Sequence, residues 1–189
     1  MNRKLRAFLF VTAILGVLVG ALFLPTLRPV DMKDMQAGAD QHSGMAGEQE
    51  MEMVPRELAG LKLQHEMSGE EAVQDISKLH GTNIEVVNGY IAQYSDGRRE
   101  AILWISESKD EADAKLLLEA MDTKMPQSPV FGNHRTEERD GRTYHYVDGA
   151  GMQNYYWQQD HIVVWIGVRG TSEDTQAVLA DTIKALEQH

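Results

Sequence analysis

The sequence predicts an α+β domain, an antiparallel sheet with about three helices on one face, carried behind a transmembrane helix and a flexible tether. Three observations lead there. An uncharged run follows a basic N-terminus, helical apolar stripes start behind capping sequences, and hairpin signals separate alternating segments.

Residues 1–6 form a basic end with Arg3, Lys4 and Arg6, and Ala7 to Leu24, "AFLFVTAILGVLVGALFL", is an 18-residue run without a charge. At about 1.5 Å per residue it would reach roughly 27 Å as a helix, near the hydrocarbon thickness of a bilayer. Basic residues stay cytoplasmic, so residues 7–24 read as a single-pass anchor in a prokaryotic cell membrane. Everything after them is then extracytoplasmic, whether periplasmic or extracellular. A cleaved secretory signal is the competing reading, because "VGA" at Val19 to Ala21 suits a signal peptidase. Against cleavage, the apolar character continues through Leu22, Phe23 and Leu24 and stops at Pro25, as at a membrane exit.

Residues 25–54 contain Pro, Gly, Asp, Gln and Glu, with no aromatic residue and no sustained apolar period. Such a stretch buries too little surface to repay the entropy of ordering, so it reads as a tether. Residues 55–189 are assigned to the extracytoplasmic domain, and 42% hydrophobic content over the chain is enough for a core.

Three helix starts are predicted at "SGEE" (Ser68 to Glu71), "SKDE" (Ser108 to Glu111) and "TSED" (Thr171 to Asp174). Each sets a hydroxyl three residues before an acid, the capping-box spacing, with the third the loosest because Asp replaces Glu. Behind them Ala72, Ile76 and Leu79, then Ala114, Leu117 and Met121, then Leu179, Ile183 and Leu186 recur at helical spacing. Hairpins are expected around "SDGRR", around Asp140 and Gly141, and at a polar turn near Asp160. "GYIAQYSDGRREAILWISESKDEADA" and "NYYWQQDHIVVWIGVRGTSEDTQA" follow the same course, which opens the reading of two similar ββα halves with Trp104 and Trp165 equivalent.

Charge and composition exclude several functions. The net charge is −11, and without Arg3, Lys4, Arg6 and Arg28 the remainder has 14 basic against 29 acidic residues. That surface repels nucleic acid and anionic headgroups. The absence of cysteine removes disulfides, thiolate catalysis, c-type haem attachment and blue copper. No phosphate loop or nucleophile elbow occurs, and "GAGMQN" at Gly149 lacks the third glycine of a dinucleotide fingerprint.

Two groups of residues suggest binding. Met32, Met35, His42, Met45, Met51 and Met53 place five thioethers and one imidazole in 23 residues, donors that suit Cu(I). The segment resembles the Met- and His-rich segments of bacterial extracytoplasmic copper-handling proteins, although without their tight Met clusters. The plainer reading is a tether kept soluble by its acids. Tyr144, Tyr146, Tyr155, Tyr156 and Trp157, near Trp165, suggest a partner-binding aromatic face, against the reading that alternation sends half of them into the core. His134, His145 and His161 with Asp140, Asp148 and Asp160 supply donors but no metal-ligand spacing, so no catalytic residue is assigned.

The expectation is therefore a non-catalytic accessory or binding module. Its partners are an integral membrane protein or complex and the bilayer, through residues 7–24, and not nucleic acid. Copper binding or delivery by the tether is the alternative.

Overall fold

A computed structural model describes residues 53–80 and 85–187. The predicted anchor and nearly all of the tether lie outside the described residues. Among the described residues no helix is long and apolar enough to cross a membrane.

Eight strands form one antiparallel sheet in the order β1-β2-β3-β4-β8-β7-β6-β5. They are β1 (Glu57–Leu58), β2 (Leu61–Ser68), β3 (Asn88–Ser95), β4 (Glu100–Glu107), β5 (Phe131–Arg139), β6 (Arg142–Gly149), β7 (Met152–Gln159) and β8 (Ile162–Arg169). Among the described residues three helices accompany it, α1 (Glu70–His80), α2 (Glu111–Lys124) and α3 (Ser172–Leu186), with a 3-10 turn at Met125–Gln127. The β5–β6 hairpin turns at Asp140 and Gly141, with φ of 51° and 77°, and the β6–β7 hairpin at Ala150 and Gly151, with 54° and 75°. Left-handed pairs of this kind match the twist of the strands they join. The first turn was legible as Asp-Gly, whereas Ala-Gly gave no signal.

The helices lie on both faces of the sheet, which corrects the expectation of one. Strand β8, "IVVWIGVR", is apolar at nearly every position, so both its faces need cover. On the first face Tyr94, Leu103, Tyr144, Tyr155, Trp157, Val164 and Ile166 pack with Val178, Leu179 and Leu186 of α3. On the second, Ile91, Val147, Tyr156 and Val163 pack with Ala72 and Ile76 of α1 and with Ala114, Leu117 and Met121 of α2. The sheet curls around α3. Asp181 accepts from the Ala59 N–H beside β1 at 2.8 Å, while Gln176 accepts from Arg139 of β5 at 2.8 Å. Those strands are seven steps apart, roughly 33 Å in a flat sheet at about 4.7 Å per step.

The two proposed halves agree in the sheet and part at the helices. Trp104 and Trp165 sit directly opposite each other at the β4–β8 junction, with Leu103 facing Ile166 and Ile105 facing Val164 about them. A twofold axis normal to the sheet would produce that register and would set α2 and α3 on one face. Instead α2 joins α1, which lies over β3, on the second face, and α3 folds onto the first. The backbone passes so close that a Cβ on Gly89 of β3 would lie 2.7 Å from Ile76 Cδ1.

The helix starts also differ from expectation. The loosest match forms the complete box: Thr171 caps α3, its hydroxyl accepting from the Asp174 N–H while Asp174 accepts from the Thr171 N–H. Ser68 stays in β2, and α1 begins after Gly69 at φ 69°. Asp110, not Ser108, caps α2 and accepts from the Asp113 N–H at 2.9 Å. Ser108 is buried.

Val54, assigned to the tether, is 1% exposed, and Met53 packs against the same cluster. Tyr94 Oη donates to the Pro55 carbonyl at 2.9 Å and helps hold this entry segment. The packed region therefore includes both residues.

Candidate functional site

Polar side chains converge on the second face, where α2 ends over the β5–β6–β7 edge. Asp122 is in the last turn of α2, beside the buried Met121 that holds that turn to the sheet. His145 of β6 faces Tyr156 of β7 directly across the ladder. His134 lies in β5 where the register slips between Gly132 and Arg135. Asn133 has φ 54° there, and such a bulge re-aims the side chains next to it.

One oxygen gathers the group. Asp122 Oδ1 lies 2.7 Å from His134 Nε2, 2.6 Å from His145 Nδ1 and 3.1 Å from the Tyr156 hydroxyl, which donates to it. His134 Nε2 is also 3.1 Å from that hydroxyl. The His145 contact is short but out of line, so Nδ1 has no hydrogen-bond partner although it is buried. We read that pair as an electrostatic contact and not as a hydrogen bond. Three polar groups on one carboxylate oxygen exceed its two lone pairs.

Ring packing fixes the cluster from below. The His145 ring stacks on Tyr156 at 4.9 Å, and Tyr156 stacks on Trp165 at 5.2 Å. Trp165 in turn donates from Nε1 to Asn154 Oδ1 at 3.2 Å. Above, the cluster opens: the Asp122 side chain is 37% exposed and His134 is 23% exposed, against 10% for His145.

Burial raises the Asp122 carboxyl, but the charge of His145 and the hydrogen bonds from Tyr156 and His134 outweigh it and hold Asp122 below its usual range. Burial, and then the charge and hydrogen bond of Asp122, push the Tyr156 hydroxyl well above its ordinary value. Asp122 is thus a carboxylate and Tyr156 a neutral donor at neutral pH. The site offers two imidazole nitrogens and a carboxylate oxygen to whatever enters from the solvent side.

Of the donors singled out in the sequence, the fold brings His134 and His145 together. It separates the others. His161 lies 3.7 Å from Glu107, Asp148 accepts from Tyr146 and Asn133, and Asp140 and Asp160 sit in turns with φ of 51° and 49°. Asp122 was missed, because nothing in its local sequence marks a helix-end acid as a partner for two strands. The pairing of the histidines was recoverable. With Asp140 and Gly141 as the turn, Thr136 faces His145, which places His134 diagonally beside it on the same face.

The aromatic group lies in the core. Tyr144, Tyr146, Tyr155, Tyr156 and Trp157 are all 5% exposed or less and fill the core. Residues on both faces of β6 and β7 are packed, Tyr144, Tyr146, Tyr155 and Trp157 on the first face and Val147 and Tyr156 on the second. Tyr144 packs on Trp157 at 5.3 Å, and Tyr146 packs edge-on against Tyr155 at 5.1 Å. Met32, Met35, His42, Met45 and Met51 lie outside the described residues. Met53 is in the core margin, where packing accounts for it.

No family model matches this chain, and no curated protein does. Among solved structures the chain is similar to the extracellular domain of PknH from Mycobacterium tuberculosis, at 9% identity and a TM-score of 0.46, over 68% of this chain and 86% of that one. It is also similar to a GTP binding regulator from Thermotoga maritima, at 9% identity and a TM-score of 0.44, over 68% of this chain and 78% of that one. Neither likeness carries a function to this protein.

Proposed function

We propose that the protein is a single-pass, membrane-anchored module whose α+β domain works on the extracytoplasmic side as a non-catalytic accessory to an integral membrane partner. The observation that carries this reading is the uncharged run Ala7 to Leu24 behind Arg3, Lys4 and Arg6. The acidic remainder supports it, since such a surface is not drawn to nucleic acid or anionic lipid by charge. The test is fractionation of cells making the intact chain. It should stay with membranes through high-salt and alkaline washing, and protease added from outside should remove the domain. Recovery of a soluble form starting near residue 22 would show a cleaved signal instead.

A second reading is copper capture by the tether, favoured by the thioethers of Met32, Met35, Met45 and Met51 with His42. Titration against a Cu(I) competitor tests it. Equal affinity with and without the methionines ends it.

A further inference from the structure

We propose that Asp122, His134 and His145 form a binding site for a divalent transition-metal ion of the zinc class, separate from any copper chemistry of the tether. The inference does not depend on where the domain resides. It starts from three donors of the right kind on three different elements, α2, β5 and β6, whose ligand atoms lie within 4.8 Å of one another. Chain separations of 12 and 11 residues explain why no spacing motif announced them.

Donor chemistry narrows the ion. Two imidazoles and one carboxylate suit zinc, cobalt, nickel, iron(II) or manganese. Calcium and magnesium want oxygen alone, and Cu(I) prefers thiolate or thioether. The distances agree. Bonds of about 2.0–2.1 Å in a tetrahedral site set ligand atoms roughly 3.3 Å apart, so the present 2.6 and 2.7 Å contacts need to open by well under 1 Å.

An independent observation points to a cation. His145 is 8% exposed, and its Nδ1 has no hydrogen-bond partner although it sits 2.6 Å from a carboxylate oxygen. A buried nitrogen without a hydrogen bond is costly, and a metal ion between it and Asp122 would bond to both groups. The surroundings fit a held site. Tyr156 donates to the Asp122 oxygen and orients it, the usual outer-shell role around a ligating carboxylate, and the stacked Tyr156 ring limits rotation of His145. The open side at Asp122 leaves room for water or an incoming donor as fourth ligand.

The experiment is titration of the full chain, purified in detergent without a polyhistidine tag, with zinc(II) against a chromophoric chelator and with cobalt(II) followed by visible absorption. The wild type should take up one ion, with a cobalt spectrum of tetrahedral or five-coordinate type. Asp122→Asn and His134→Asn should each weaken zinc by about tenfold or more, and Tyr156→Phe by a similar or smaller factor. Replacing Met32, Met35, Met45, Met51 and His42 together should leave zinc affinity unchanged. Unchanged uptake in His134→Asn, whose partly exposed side chain can be exchanged without opening the core, would overturn the proposal. So would a wild type that gives no cobalt spectrum, or zinc binding that disappears with the tether substitutions.

Discussion

A single row of side chains on the second face crosses the sheet from Met67 through Ile91, Trp104, Trp165 and Tyr156 to His145, each residue opposite the next in the ladder. The two tryptophans stand at its centre, and its two arms have opposite character. One ends in Ile91 and Met67 under α1, whose contacting residues Ala72 and Ile76 are apolar. The other ends in Tyr156 and His145 under the last turn of α2, which contributes Asp122. Equivalent positions of one sheet thus hold an apolar seal in one arm and a polar cluster in the other. The difference teaches that hairpin geometry is shared while the covering helix decides chemistry. A buried polar group needs a partner, and here the last turn of α2 supplies Tyr156 and the imidazoles with a carboxylate.

The comparison can be broken most strongly in the apolar arm. Ile76→Ala should cost about 2–5 kcal/mol, because a fully buried side chain leaves a cavity that α1 fills only in part. Urea unfolding measures it, and a loss below about 1 kcal/mol would mean that α1 does not seal that end. In the polar arm, Tyr156→Phe keeps the ring stack and removes the donor to Asp122. With chelator present it should cost about 1.5–3 kcal/mol, the range for a hydrogen bond to a charged group. No measurable change would show that His134 and His145 satisfy the carboxylate unaided.

Smaller effects separate the helix starts. Thr171→Ala breaks the complete capping box of α3 and should lower stability by about 0.5–2 kcal/mol. Ser68→Ala, at a serine that remains in a strand, should stay within about 0.5 kcal/mol. Equal losses at both would mean that Ser68 caps α1 after all.

The smallest expected effect is a pH dependence at the β3–β4 turn. The backbone N–H groups of Arg99 and Arg98, then the Arg99 side chain, hold Asp96 down to about 2. Its folded value lies below its unfolded one, so its contribution is complete above roughly pH 4 and disappears as pH falls toward 2. Asp96→Asn should therefore be less stable than wild type at neutral pH, with the gap closing in acid. A gap independent of pH would show that charge has no part in it.

Much of the domain was legible because its signals are local. Asp140-Gly141 closes a hairpin by its own backbone preference, and Ala114, Leu117 and Met121 mark the buried stripe of α2 at helical period. The short strand β1 and the β2 that follows were harder, since "LKLQHEMS" has exposed or half-buried residues at most positions. The candidate site was legible by half. Hairpin arithmetic brings His134 to His145, but Asp122 arrives only when α2 packs across β7 and β8.

The sequence by itself determined the α+β class, the β3–β4, β5–β6 and β7–β8 hairpins, the apolar stripe of each helix, the uncharged N-terminal run and the acidic balance, all of which follow from neighbouring residues or composition. Tertiary structure alone decided that α3 takes the first face while α1 and α2 take the second, that five aromatics are core and not surface, and that one carboxylate meets two imidazoles. These outcomes depend on which surfaces are covered. Alternation along a strand says which residues share a face and leaves open what lies over it, because that is settled by long-range packing of helices competing for the same sheet.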